Sequence, residues 1–329
     1  MERNPEVLYK EASDSWSRYV STHGLPDAVV AEVTNICDCA DCAHCYLKAV
    51  RTNQASSLGI LWGAETADTW SKVLSSHENG KPVQIWITGG EPTLNESLDT
   101  ISEKFKRQGF YTALITNGEK LADKEYCDRL LRLNVLDEMA ISIRGVGVLH
   151  DLLMLPVENQ LWNLVDHKLS SREQIEEIKK QLTGKMDARR FEKSMKGLIN
   201  CVQHPVKIGL NIDIQAATDM NDIVEEIIKR GGKVDVIYLQ VMQESGRAVG
   251  QQDLIPNLWR KPDQNMVEEY LSQAHALLER GIVQKIEIID PLPNEIVKNL
   301  NLEGETIYQP IASPAISPEG KLREDVLFP

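Results

Sequence analysis

Apolar positions along the chain follow two alternating rhythms. Short, β-branched, almost wholly apolar runs occur at AVVAEVT (28–34), VQIWIT (83–88), FYTALIT (110–116), EMAISI (138–143), VKIGLNIDI (206–214) and VDVIYLQVM (234–242), with KIEII (285–289) as a further candidate. Between them lie segments whose apolar residues recur at helical spacing: 62–74, 96–109, 124–133, 188–202, 220–232 and 265–281. Gly109 closes one of these segments, and Asn221 stands where an N-cap belongs in another. The alternation predicts an α/β fold of six strand–helix units, with a parallel sheet and right-handed crossovers. Strands this continuously apolar are buried on both faces. An open doubly wound sheet and a barrel both satisfy the pattern.

Three stretches break the rhythm. Residues 1–27 hold a helix-like segment, LYKEASDSWSRYV, ahead of the first strand. Residues 146–187 form a long connection with a helical pattern of its own, SREQIEEIKKQL. Residues 290–329 carry Pro291, Pro293, Pro310, Pro314, Pro318 and Pro329, a density that predicts no regular structure. The expected organisation is an N-terminal helical extension (1–27), a core (28–281) with an insert (146–187), and a proline-rich tail (282–329) capping the core.

Composition narrows the chemistry. The formal charge of −13 opposes a phosphate-driven nucleic-acid partner. No apolar run approaches the roughly 20 residues needed to span a bilayer. The opening residues lack the basic-then-apolar layout of a signal peptide, so a reducing cytoplasm is the expected compartment. Of 6 cysteines, Cys37, Cys39, Cys42 and Cys45 crowd into one window directly after the first strand. In a reducing compartment such a window reads as a metal site. Soft thiolates in a close loop suit an iron–sulfur cluster or zinc. A zinc site normally draws two pairs from separate turns, so the cramped window favours a cluster, with zinc left as the rival reading. Cys127 and Cys201 stand alone in helical patterns and read as core residues.

A second motif, ITGGEPTLN (87–95), follows the second strand. The glycines allow close backbone approach, and Glu91 supplies a carboxylate for an ammonium group. Together, TN-x-C (34–37), C-x-H-C-Y (42–46), GGE (89–91), ITNG (115–118) and ISIRG (141–145) resemble the radical S-adenosylmethionine (SAM) superfamily over roughly residues 28–245. One departure concerns spacing. The family has C-x3-C-x2-C, whereas four residues separate Cys37 from Cys42 here, which leaves Cys39 as an alternative to Cys37.

The resemblance implies a partial (β/α)6 TIM-like barrel whose site lies at the strand carboxyl ends. It implies a 4Fe-4S cluster on Cys37, Cys42 and Cys45, and SAM on the open iron, cleaved to a 5′-deoxyadenosyl radical that abstracts hydrogen from an organic substrate. Under it, Glu91 with the Gly89–Gly90 backbone binds the SAM ammonium, His44 lies near adenine or the cluster, Asn117 and Ser142 reach the ribose, and Arg144 pairs with the carboxylate. Blander roles stand beside these: an exposed loop histidine for His44, a turn former for Asn117, a solvated charge for Arg144. The two cysteines after residue 45 are too few for a second cluster, so the expected enzyme has one. Its partners are a small-molecule or peptide substrate and an external reductant such as flavodoxin or ferredoxin, with neither nucleic acid nor membrane. The insert is the expected lid, with His150, Asp151, Trp162 and His167 facing substrate, or else a packing helix or a dimer contact. The other classes in play are an activating enzyme that places a radical on a partner protein and a non-catalytic iron–sulfur or zinc scaffold.

Overall fold

The computed structural model describes residues 5–39, 42, 45, 49–77, 80–154, 189–214, 219–241, 263–289, 292–300, 302 and 313–323. The strands are β1 (Ala28–Glu32), β2 (Ile36–Cys37), β3 (Val50–Arg51), β4 (Gln84–Thr88), β5 (Tyr111–Thr116), β6 (Glu138–Ser142), β7 (Lys207–Ile214), β8 (Val236–Val241), β9 (Lys285–Ile288), β10 (Ala315–Ile316) and β11 (Leu322–Arg323). The helices are α1 (Pro5–His23), α2 (Ala55–Leu58), α3 (Ala64–Ser75), α4 (Leu98–Arg107), α5 (Lys124–Arg132), α6 (Val148–Leu153), α7 (Arg190–Cys201), α8 (Met220–Lys229), α9 (Gln264–Glu279) and α10 (Asn294–Asn299). Nine strands form one sheet in the order β11-β10-β1-β4-β5-β6-β7-β8-β9. All neighbours are parallel except β10 and β11. The end strands β11 and β9 do not pair with each other, so the sheet is a partial barrel rather than a closed one.

Strand alternation sorts the core into two faces. Val29, Ala31, Ile85, Ile87, Leu114, Met139, Ile141, Leu210 and Ile237 pack with the helices. Ala28, Val30, Trp86, Ala113, Ala140, Val236, Tyr238 and Ala315 form a separate cluster on the opposite, inner face. Small residues dominate there, which lets the sheet curl, and Trp86 fills the space against Tyr238 edge to face at 5.1 Å. The inner-facing register continues upward into polar residues at the strand carboxyl ends: Glu32, Thr88, Ser142, Asn211, Asp213 and Gln240, all buried. The chain changes from apolar to polar where a site would be.

Helix starts are fixed by aspartates. Asp123 accepts from the Glu125 and Tyr126 amides, Asp219 from Asn221 and Asp222, and Asp263 from Met266. The N-cap of α8 is therefore Asp219, and Asn221 is the second residue of the helix. Cys127 and Cys201, remote in sequence, meet between α5 and α7 with their sulfurs 3.7 Å apart in the core.

The tail departs from expectation. Residues 294–299 are helical, and Ala315–Ile316 joins the main sheet beside β1. Of the described tail prolines, Pro293 and Pro314 stand just ahead of an element and Pro318 lies in the turn between β10 and β11, positions where a missing N–H costs nothing. The Pro293 carbonyl opens α10 by accepting from Ile296 N at 2.9 Å. The Pro314 carbonyl accepts from Val30 N at 3.0 Å, just ahead of β10. Trp62 and Trp70 then pin the β10–β11 turn by donating to Ser317 O at 3.0 Å and Gly320 O at 3.1 Å. Arg323 forms an ion pair with the buried Glu32. Among the described residues no helix is long and apolar enough to cross a membrane.

Candidate active site

The cysteine loop leaves β1 and is closed at its root. Ile36 and Cys37 pair with Val50 and Arg51 as two short parallel strands, so entry and exit of the loop lie side by side. Asn35 clamps the same point, its backbone carbonyl accepting from Val50 N at 2.7 Å and its side chain from Ile60 N at 2.7 Å. Within the loop, Cys42 N donates to Cys39 O and Cys45 N to Cys42 O, a pair of successive turns. Cys37, Cys39 and Cys42 are buried with Ala49 and Met154 in a small apolar cluster of their own, and Cys45 lies at its margin. The Cys39 and Cys42 sulfurs stand 2.8 Å apart, and the Cys39 amide donates to Cys37 Sγ at 3.3 Å. Both Cys39 and Cys42 also lie 3.7 Å from the Met154 carbonyl, so the start of the 146–187 insert roofs the pocket.

The second motif is fastened directly to this loop. Gly90 N donates to Thr34 O and Glu91 N to Ile36 O, each at 2.7 Å. The approach is too close for any side chain. A Cβ on Gly89 would lie 2.3 Å from Thr34 O, and one on Gly90 would lie 2.2 Å from Ile36 O. Gly89 also has φ +141°, which favours glycine. The two glycines are therefore the seam that joins the cysteine loop to β4.

Glu91 is buried and already surrounded by donors. One oxygen accepts from Thr93 N (3.0 Å), Thr93 Oγ1 (2.6 Å) and Thr116 Oγ1 (2.6 Å), and the other from Asn117 N (2.8 Å). Burial and the nearby Asp38 carboxylate raise its pKa to about 7, against the lowering effect of these hydrogen bonds. Asn117 is equally engaged. Its Nδ2 donates to Asp38 Oδ1 at 2.9 Å, and its Oδ1 accepts from Glu119 N at 2.9 Å. Its carbonyl accepts from Ser194 Oγ on α7 at 2.7 Å. Cysteine loop, Glu91 and Asn117 thus form one hydrogen-bonded unit.

Ser142 ends β6 and Arg144 follows it, and their bonds run to β7. Ser142 Oγ accepts from Asn211 Nδ2 at 3.4 Å. Arg144 forms a buried ion pair with Asp213, so it is not the solvated charge of the bland reading. His150 Nδ1 accepts from Arg144 N at 3.0 Å. Burial, with Arg144 and Arg190 nearby, pushes its pKa down to about 3, so the ring is neutral. Asp151 accepts from Phe191 N at 2.8 Å and caps α7. His150 and Asp151 therefore serve as internal supports. His44, Trp162 and His167 lie outside the described residues.

Several participants carried no signal of their own. Asp38 stands among cysteines that draw the eye first, Thr93 and Thr116 lie inside the quoted motifs as ordinary hydroxyls, and Glu119, Arg190 and Asp213 carry charge that sequence alone leaves solvated. Among the described residues, no three Cys, His, Asp or Glu side chains converge on one point as a mononuclear metal site would require. The donor set does fit an iron–sulfur cluster: sulfur ligands on a tied loop, in an apolar pocket, beside a backbone seam. Burial holds the Cys37 thiol above its ordinary range, as does its contact with Cys39 for Cys42, so loading the site must displace protons.

Comparison with known proteins agrees with this geometry. Residues 31–154 match the family model described as the Radical SAM superfamily. A putative glycyl-radical enzyme activating enzyme of Methanocaldococcus jannaschii is 34% identical over 104 residues, which are 32% of this chain and 35% of the relative. The Fe-coproporphyrin III synthase of Methanosarcina barkeri is 24% identical over 264 residues, 80% of this chain and 55% of the relative. This chain thus spans between about a third and just over half of the length of these two relatives. Among solved structures, Streptococcus suis SuiB bound to S-adenosylmethionine superposes with TM-score 0.57 at 14% identity, covering 98% of this chain and 66% of that one. SuiB bound to its precursor peptide SuiA gives TM-score 0.56 at 14% identity, over 98% of this chain and 65% of that one. At such identity the likeness is one of fold.

Proposed function

We propose that the chain is a radical SAM enzyme acting on an organic substrate by hydrogen-atom abstraction, a reading supported by the match of residues 31–154 to that superfamily's model. The observation that supports this most is the seam itself, Gly90 N to Thr34 O and Glu91 N to Ile36 O, which makes cysteine loop and GGE turn a single unit. Cys37, Cys42 and Cys45 would hold a 4Fe-4S cluster and leave one iron for SAM. The bound pair supplies one-electron reduction of the sulfonium and the hydrogen abstraction that follows.

The chain's own residues supply position and dryness. Gly89 and Gly90 hold the turn against the loop, and Glu91 locks the turn to β5 through Thr116 and Asn117. Backbone groups of this turn, with Glu91 behind them, are the candidate ammonium site. Ser142 and Arg144 are the candidate contacts for ribose and carboxylate, and Arg144 would then share its charge with Asp213. The apolar cover from Ala49 and Met154 keeps water from the sulfurs. A peptide is the favoured substrate class, in line with the fold neighbour that was solved with a precursor peptide. The activating-enzyme reading has support from the 104-residue match to a protein of that description. An external flavodoxin or ferredoxin as reductant and a cytoplasmic setting complete the proposal.

Anaerobic reconstitution tests it. The expected product is a brown protein with about four irons that releases 5′-deoxyadenosine from SAM under reduction. A colourless protein holding zinc would overturn the reading. Cys37→Ala is expected to lose both iron and cleavage, and Cys39→Ala to keep both. The reverse pattern assigns the ligand to Cys39. Transfer of deuterium from a labelled partner polypeptide, rather than from a free substrate, would favour the activating enzyme.

A further inference from the structure

The first turn of α7 carries a cation into the cysteine loop from outside both motifs. Arg190 is largely buried, with its side chain 13% exposed. Its Nη1 is paired to Glu119 Oε1 at 2.5 Å, and its Nη2 donates to the Asp38 carbonyl at 3.0 Å. Asp38 sits between Cys37 and Cys39, so this guanidinium grips the loop's own backbone. Its position does not depend on its own helix alone, because Asp151 caps the α7 amide end through Phe191 N. On the far side, Gly197 lets α7 press against the Asn117–Gly118 turn, where a Cβ would lie 2.1 Å from Gly118 O. The helix is thus held at its start by Asp151 and at mid-length by the Asn117–Gly118 turn, and its first guanidinium reaches the backbone between Cys37 and Cys39.

Resting on the cluster reading above, we propose that Arg190, balanced by Glu119, is a positioning residue that sets the reduction potential of the iron–sulfur centre on this loop. One-electron reduction adds a negative charge to the centre. A cation buried beside it favours the reduced form, and a buried carboxylate opposes it. Glu119 moderates the effect of Arg190 without cancelling it, because the guanidinium is the member of the pair that touches the loop.

The test is an EPR-monitored redox titration of the reconstituted protein and three variants, each with iron quantified. Arg190→Gln is expected to lower the equilibrium constant for reduction about tenfold, ~59 mV for one electron. Glu119→Gln is expected to shift it in the opposite direction. Arg190→Lys keeps the charge and is expected to fall closer to wild type than Arg190→Gln. Opposed shifts from the two halves of one ion pair would not follow from simple loosening of the loop, which moves both variants the same way. Variants that hold four irons with an unchanged potential, or that shift together, overturn the proposal. If Arg190→Gln cannot be loaded, Glu119→Gln decides alone, and an unchanged potential there overturns it. A wild-type protein that assembles no cluster overturns the function reading itself, and this inference with it.

Discussion

At the scale of single residues, Glu91 shows how one side chain serves two purposes. The GGE pattern marked it as a ligand, whereas its four donors mark it as the bolt between β4 and β5. That environment has a consequence for pH. Its pKa in the fold is raised to about 7, first by burial and then by Asp38, from an ordinary 4.5. Between these values the folded protein holds a proton that the unfolded chain has released. Stability of the metal-free protein therefore falls as pH rises from about 4.5 through about 7, by an amount on the order of 3 kcal/mol. Asp38→Asn removes the nearby charge and keeps an acceptor for Asn117 Nδ2, so it should flatten this decline. Urea midpoints at pH 5, 6 and 7 measure it, and equal slopes in the two proteins would refute the assignment. Glu91 was legible because glycines flank it. Thr93 and Thr116 were not, since a hydroxyl in a strand or turn looks the same whether or not a carboxylate lies across from it.

At the scale of elements, apolar periodicity located β1, β4 to β9 and the helices packed on them to within a few residues, because burial on one or two faces dictates those patterns. It missed short elements whose formation depends on distant partners, β10 among them, and it gave no account of how a located helix is held. Helix α7, read from residues 188–202, is an example of the second. Arg189 at its N-cap position gives no side-chain hydrogen bond, and the cap arrives from Asp151, 40 residues earlier. Asp151 read as a substrate contact in the sequence for this reason. Asp151→Ala should cost about 1–2 kcal/mol, with an unchanged urea m-value. It should also reduce iron uptake, because α7 aims Arg190 at the loop. Asp263→Ala, which removes the cap of α9 far from the cysteines, should cost a similar amount and leave iron uptake alone. Equal iron loading in both variants would show that α7 does not support the cysteine loop.

At the scale of the whole molecule, the tail is where sequence reading and fold part company. Its prolines predicted irregular chain, yet Pro293 and Pro314 stand just ahead of regular elements, and their carbonyls accept from Ile296 N and Val30 N. Their effect is to supply the sheet with a neighbour for β1, the strand that runs directly into the cysteine loop. Without β10, β1 becomes an edge with unpaired amides, a position that invites association with other chains. Ala315 and Ile316 are fully buried, Trp62 and Trp70 each donate to this turn, and Arg323 balances the buried Glu32. A chain ending at residue 312 should thus lose about 3–6 kcal/mol from one isoleucine and two hydrogen bonds, and more because the buried Glu32 loses its half-exposed partner Arg323. A chain ending at residue 323 keeps all of these contacts and serves as the reference. Thermal unfolding followed by circular dichroism should show a lower midpoint for the shorter chain, with light scattering reporting its association. The sharper test is iron loading: if the strand beside β1 steadies the loop, the shorter chain should bind less iron even at temperatures where it remains folded. Full loading at those temperatures would separate the tail from the site and leave it a purely structural edge.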